Sequence, residues 1–213
     1  MKISYAITVC NEFVEIQRLV NFLVSNKRQQ DEIVILYDEQ NGDPEIETYL
    51  RSHSVNTEFN WHFYKFQGDF SDMKNRLTSL CNGDYIFQID ADEMPTTYMM
   101  DMLPEVLKHN DVDVLKVPRI NTVEGLTQQH IEKWNWGVND QGWVNFPDFQ
   151  WRIYKNNDTI KWINRVHEVL QGYQTMSYLP TEEQWCLRHD KTISKQEKQN
   201  KLYNGLTNFN TIV

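Results

Sequence analysis

The sequence predicts an α/β fold: a mostly parallel central sheet flanked by helices, followed by a small aromatic-rich half. Three observations predict it. Strand-like runs alternate with helix-spaced apolar residues from residue 3 to residue 90, the pattern of parallel strands joined by right-handed crossovers. One run, DEIVILYD, is apolar almost without interruption, as in a strand covered on both faces. From about residue 121 the texture becomes aromatic and loop-rich, and Trp134, Trp136, Trp143, Trp151, Trp162 and Trp185 hold six of the seven tryptophans.

The elements follow in order. KISYAITV has strand character, and Phe13, Ile16, Leu19, Val20 and Leu23 fall at helical spacing after it. DEIVILYD is the second strand, EQNGDP a turn, and Asp43 followed by Pro44 predicts a helix N-cap and first-turn proline leading into Ile46, Tyr49 and Leu50. FNWHFYKF alternates Phe59, Trp61 and Phe63 as a third strand. Ser71 then caps a helix carrying Met73, Leu77, Leu80 and Cys81, which ends at Asn82 and Gly83. DYIFQI is a fourth strand and VDVLKVPR a fifth; residues 96–109 between them have helical character, with a kink or break expected at Pro104. The last helix runs from Ile193 to about Leu206, showing Lys191, Lys195, Lys198 and Lys201 on neighbouring turns. Residues 1–95 and 96–213 thus form two halves of one domain sharing a sheet.

Composition narrows the function. Hydrophobic residues at 40% suffice for a core, while Lys and Arg total 21 against 30 Asp and Glu. The resulting charge of -9 repels phosphate backbones, so nucleic acid is not an expected partner. Cys10, Cys81 and Cys186 form neither a disulfide framework nor a zinc pattern, which suits a reducing compartment. No signal peptide and no apolar stretch of the ~20 residues needed to span a bilayer is visible, so a soluble cytoplasmic protein is expected.

The chemistry concentrates in YIFQIDADEMP, residues 85–95, which sets Asp90, Asp92 and Glu93 at the end of a strand. Ligands of parallel sheets bind beyond the carboxyl ends of strands. In extended backbone Asp90 and Asp92 face one spot, and Ala91 leaves room for a close ligand. Two adjacent carboxylates raise each other's pKa unless a cation offsets them. Hard oxygen donors suit Mg2+ or Mn2+, which keep part of their shell for water and substrate phosphates. The bland alternative is a solvated strand end whose acids cap the next helix. An EF-hand is excluded, because its obligatory glycine would be Pro95.

With these pieces placed, the chain resembles glycosyltransferase family 2, nucleotide-sugar-dependent enzymes of GT-A fold, and in particular its small bacterial and phage lipopolysaccharide-type members. The resemblance is carried by ITVCNE, DEIVILYDEQNGDP, MKNRLTSLCNGDYIFQIDADE and, more loosely, WRIYKN through VHEVL. It implies a donor-binding half over 1–95 and an acceptor-binding half over 96–213. Thr8, Asn11, Glu12 and Asp38 would then recognise a nucleoside, most often uridine. Lys74 and Asn75 match an Arg-Asn pair near the nucleotide, with Lys losing the bidentate fork. In the family the second Asp of the pair, here Asp92, usually ligates the metal while the first, Asp90, leans toward the ribose. His189 or His167 would be a further metal ligand.

The resemblance further implies inverting transfer from a UDP-sugar, assisted by Mn2+ or Mg2+, to a glycan or other hydroxyl acceptor. Asp148, in FPDFQWR, and Glu168, in RVHEVL, are the two candidates for the base, with a slight preference for Asp148 although Pro147 replaces the usual Glu. The tryptophans are either core or an acceptor sugar platform. The final lysine-bearing helix reads as a solvated face, with a phosphate-bearing acceptor or an anionic membrane surface as the functional alternative. Two rival classes are another metal-dependent phosphate enzyme, namely a nucleotidyltransferase or phosphatase, and a non-catalytic sugar-nucleotide or glycan-binding module.

Overall fold

The computed structural model describes residues 1–54 and 58–208. Its strands are β1 (Ile3–Val9), β2 (Glu32–Asp38), β3 (Asn60–Tyr64), β4 (Tyr85–Asp90), β5 (Val114–Glu124), β6 (Val144–Lys155), β7 (Lys161–Ile163), β8 (Val169–Gln171), β9 (Met176–Tyr178) and β10 (Leu187–Thr192). The helices are α1 (Phe13–Asn26), α2 (Pro44–His53), α3 (Phe70–Thr78), α4 (Thr97–His109), α5 (Gln128–Trp134) and α6 (Ile193–Asn208).

One sheet carries both halves, in the order β10-β5-β6-β4-β1-β2-β3, with β9 also pairing β5. β1, β2, β3 and β4 are mutually parallel, as expected. β6 enters antiparallel between β4 and β5, and β10 runs parallel to β5 along its far edge. β7 and β8 form a separate small hairpin.

Strand alternation sorts the core into two layers. Tyr5 and Ile7 of β1, Ile33 and Ile35 of β2, and Phe87 and Ile89 of β4 pack with α1, α2 and α4. Ala6, Val34, Leu36 and Ile86 face the other way, onto Met73 and Leu77 of α3 and Trp162 and Leu170 of the small hairpin. By the same period of two, Asp38 and Asp90 at the ends of their strands and Thr8, one residue before the end of β1, lie on the α3 side. Three side chains distant in sequence thereby reach one rim.

Several local expectations hold and several are corrected. Asp43 caps α2, accepting from Glu45 N at 2.9 Å, with Pro44 in the first turn. Asp69, rather than Ser71, caps α3 by accepting from Asp72 N at 3.1 Å, and Ser71 Oγ instead donates to Asp69 Oδ1 at 2.8 Å. α4 runs unbroken through Pro104, because buried Met99, Met100, Leu103 and Leu107 hold it to the sheet against the ~3 kcal/mol that an internal proline costs. The fifth strand is longer than VDVLKVPR and continues to Glu124. Lys191 lies on β10, not on the final helix, and His189 lies two residues before it on the same strand.

Candidate active site

A cavity of about 1140 Å3 opens at the carboxyl ends of β1, β2 and β4. Thr8, Asn11, Glu12, Asp38, Lys74, Asp90, Ala91, Asp92, Asp148, Glu168, His167 and His189 all line it. Asn75 is absent from this lining. Its amide instead donates to Trp162 O and accepts from Trp162 N, both at 2.9 Å, pinning β7 to α3.

The three carboxylates of DADE part company once folded. Asp90 ends β4, and Asp92 sits in the turn that follows. Glu93, given no role by the spacing argument, points inward and is fully buried. It accepts from Arg119 Nη1 at 2.9 Å, Arg152 Nε at 2.9 Å and Arg152 Nη2 at 2.7 Å, and its Oε2 also takes Asp90 N at 3.2 Å. Arg152 further donates to Asp90. Burial alone would push the Asp90 carboxyl up, but Arg152 above all and then Lys74 hold it well below the usual carboxylate range. The repulsion expected between Asp90 and Asp92 is therefore relieved by protein cations.

Asp92 has different company. Its Oδ2 lies 3.3 Å from His189 Nε2 and 3.8 Å from Lys191 Nζ. Burial raises its pKa, yet His189 first and then Lys191 more than reverse this and leave it ionised. Nearby Glu12 is pushed upward by burial and by the Asp92 charge, against the backbone N–H groups of Cys10 and Asn11 that its Oε2 accepts at 3.0 Å. Glu12 occupies the N-cap position of α1, but its carboxylate folds back to these two amides rather than bonding the first turn.

Pairing of β5 with β6 and β10 builds the opposite wall. Arg119 faces Asp148 across one register and His189 faces Asn121 across another. Asp148 Oδ2 accepts from Arg119 Nε at 3.0 Å, Arg119 Nη2 at 2.7 Å and Asn121 Nδ2 at 2.8 Å, whereas among the described residues Oδ1 takes only Gln150 Nε2, at 2.6 Å. These donors, Arg119 first, outweigh desolvation and keep Asp148 below its ordinary pKa. Asp148 lines the cavity, and a carboxylate oxygen with one donor has capacity to accept another.

The bond from Asn121 Nδ2 to an acceptor-only carboxylate fixes the orientation of the Asn121 amide. Asn121 Oδ1 then accepts at 2.7 Å from His189 Nδ1, which must carry the proton. His189 Nε2 consequently faces the Asp92 carboxylate at 3.3 Å, an arrangement that calls for a proton or a cation between them. A nitrogen and a carboxylate oxygen so placed fit an ion of the Mn2+ type that keeps open positions for phosphate oxygens. Among the described residues no group of three His, Cys, Asp or Glu side chains converges to hold a metal, so such an ion would need substrate or water oxygens as well.

The remaining predicted residues have clear surroundings. Asp38 is 3% exposed: its Oδ1 accepts from Gln40 N at 3.1 Å and Phe66 N at 3.2 Å, and its Oδ2 from Asn41 Nδ2 at 2.9 Å. A Cβ on Gly42 would meet Asp38 O at 2.2 Å, so this turn requires glycine. Lys74 is 8% exposed; its Nζ lies 3.5 Å from Glu168 Oε1 and 4.6 Å from the Trp162 ring centroid. Trp162 and Trp185 are core, whereas Trp134, Trp136, Trp143 and Trp151 are half-buried, and Trp136 and Trp151 line the cavity. Arg119, Asn121 and Gln150 carry no site role in the sequence, because no local motif marks them, and Lys191 is read there only as one of the lysines of the final helix. Arg152 is the last residue of FPDFQWR, the stretch that holds Asp148.

Comparison with known proteins matches this architecture. Solved structures of Staphylococcus aureus TarS residues 1–349 superpose with a TM-score of 0.60 for the protein alone, at 13% identity over 89% of this chain and 60% of that one. The TarS complex with UDP-GlcNAc gives 0.61 at 14% identity, covering 90% and 59%; the UDP complex gives 0.58 at 13%, covering 89% and 60%. This chain thus spans about 60% of the length of the TarS fragment. No curated protein matches it by sequence. The model of the family described as Glycosyl transferase family 2 matches residues 4–177, and with the GT-A architecture above this chain belongs to that family.

Proposed function

We propose that this protein transfers a sugar, with a UDP-hexose as donor, to an acceptor hydroxyl with inversion of configuration. The observation that carries the reading is the juxtaposition, in one large cavity at the carboxyl ends of parallel strands, of the Asp92–His189 pair with an ionised, rigidly held Asp148. Residues 1–95 would hold the nucleotide and residues 96–213 the acceptor. Support for a uridine donor comes from the TarS complexes with UDP and UDP-GlcNAc, which share the fold. Family membership weighs against a nucleotidyltransferase or phosphatase.

In this reading Thr8, Asn11, Glu12 and Asp38 form the nucleoside side, and Asp90 is held by Arg152 toward the ribose. Asp92 and His189 would hold Mn2+ or Mg2+, whose charge stabilises the leaving diphosphate. Asp148 accepts the acceptor's proton on Oδ1 as its oxygen bonds to the anomeric carbon and the carbon–phosphate-oxygen bond breaks, the electron pair leaving with the nucleoside diphosphate. Arg119, Asn121 and Gln150 orient that carboxylate. Glu168, paired with Lys74, is the alternative base. Half-buried Trp136 and Trp151 offer faces to an acceptor sugar.

The test is a thermal-shift panel of UDP, ADP and GDP with and without Mn2+. A ligand at 100 times its Kd stabilises by ~2.7 kcal/mol, or about 5–10 °C for a domain of this size. The expected result is a shift specific to UDP that grows with Mn2+ and is lost in Asp92→Ala. Equal shifts for the three nucleotides would remove uridine recognition. UDP binding with no UDP release from any UDP-hexose would indicate a non-catalytic module.

A further inference from the structure

We propose that Lys191 is a diphosphate-binding cation of the donor site, a positive charge carried by the protein itself beside Asp92. The inference rests on the transferase reading and concerns a side chain that reading leaves unassigned. Lys191 follows His189 by two residues on β10, so both project to the same face of the strand, into the cavity. Its side chain is 10% exposed.

Among the described residues, one of its three N–H donors is hydrogen-bonded, to Gln199 Oε1 of α6 at 2.6 Å. Asp92 Oδ2, at 3.8 Å, lies beyond hydrogen-bonding distance. The other acids whose charge acts on it are already engaged, Asp90 by Arg152 and Glu93 by Arg152 and Arg119. A nearly buried ammonium with donors in reserve is costly unless an anion completes its shell. The diphosphate of the donor, brought to the Asp92–His189 corner, is the anion whose chemistry fits.

Two consequences follow. Nucleoside diphosphate binding persists, weakened, without divalent metal. Loss of the lysine then falls on ligands that carry the diphosphate and spares those that lack it. A lysine serving only to tie β10 to α6 would affect both alike.

Calorimetric titration of UDP and of uridine, each in Mn2+ and in EDTA, separates these cases for the native protein, Lys191→Met and Lys191→Arg. Lys108→Met, on the exposed side of α4, is the control. In EDTA, Lys191→Met is expected to lose about 10- to 100-fold in UDP affinity, the range for a hydrogen bond to a charged group, with uridine affinity unchanged. Lys191→Arg keeps UDP affinity within about threefold. Should the methionine variant misfold, Lys191→Gln, which can still donate to Gln199, replaces it. An unchanged UDP-to-uridine ratio in a folded variant overturns the assignment while leaving the transferase reading intact. Failure of the native protein to bind UDP even with Mn2+ overturns both.

Discussion

Removing the Glu93 charge should destabilise the fold more than any change at the cavity rim. Its carboxylate is fully buried and receives three hydrogen bonds from two arginines plus the amide of Asp90. Breaking a buried ion pair by deleting one partner costs about 3–5 kcal/mol, because the remaining charge stays in a poorly solvated place. Here the loss is bounded, since Arg119 keeps Asp148 and Arg152 keeps Asp90. Glu93→Gln, which retains a hydrogen-bonding shape, should sit near ~3 kcal/mol and Glu93→Leu near ~5 kcal/mol. For a domain of this size each kcal/mol moves the melting point by about 2–4 °C, so drops of about 6–12 °C and 10–20 °C are expected. Tryptophan fluorescence during heating, checked by urea titration, reads both. UDP affinity should fall as well, because Glu93 secures the amide of Asp90. A Glu93→Leu variant melting within about 3 °C of native would refute the reasoning.

Other outcomes are equally specific. Asp148→Asn should lower turnover by about 10²- to 10⁴-fold with little change in UDP affinity, whereas Glu168→Gln should do much less; the reverse order in a UDP-release assay would move the base to Glu168. Gln88 is fully buried on β4 with neither amide atom hydrogen-bonded among the described residues, so Gln88→Leu should raise stability by about 1–2 kcal/mol in urea, and a fall would mean that the amide has a partner. Asp90 and Asp92 have native pKa values below the unfolded value of about 3.9, so their contribution is complete above about pH 4 and is lost as pH falls through the lower native values. Urea midpoints between pH 5 and 2 should therefore decline less steeply in Asp92→Asn than in the native protein, and parallel curves would contradict this.

How much was legible in the residues divides along physical lines. Local signals carried the first half: alternation placed four parallel strands, Asp43 and Pro44 marked the start of α2, and the position of Asp90 and Asp92 at the end of β4 pointed to the ligand side. Period and capping act over a few residues, so they can be read in order along the chain. One local reading, the break at Pro104, gave way where a tertiary contact outweighed propensity, and one side chain matched only through the family resemblance, Asn75, is engaged outside the cavity lining. Pro104 stays helical because α4 is packed from both sides of it, and Asn75 serves the backbone of Trp162, 87 residues away.

The sequence alone determined that an α/β sheet would present paired acids at a strand end, because strand periodicity and turn chemistry are local. Only the tertiary structure decided what those acids meet. β6 enters antiparallel beside β4, and β10 settles parallel on β5. These pairings bring Arg119, Asn121, Arg152, His189 and Lys191 from distant segments onto Asp90, Asp92, Glu93 and Asp148. Such register is selected by the burial of whole faces, a property of the assembled sheet that no short stretch of residues contains.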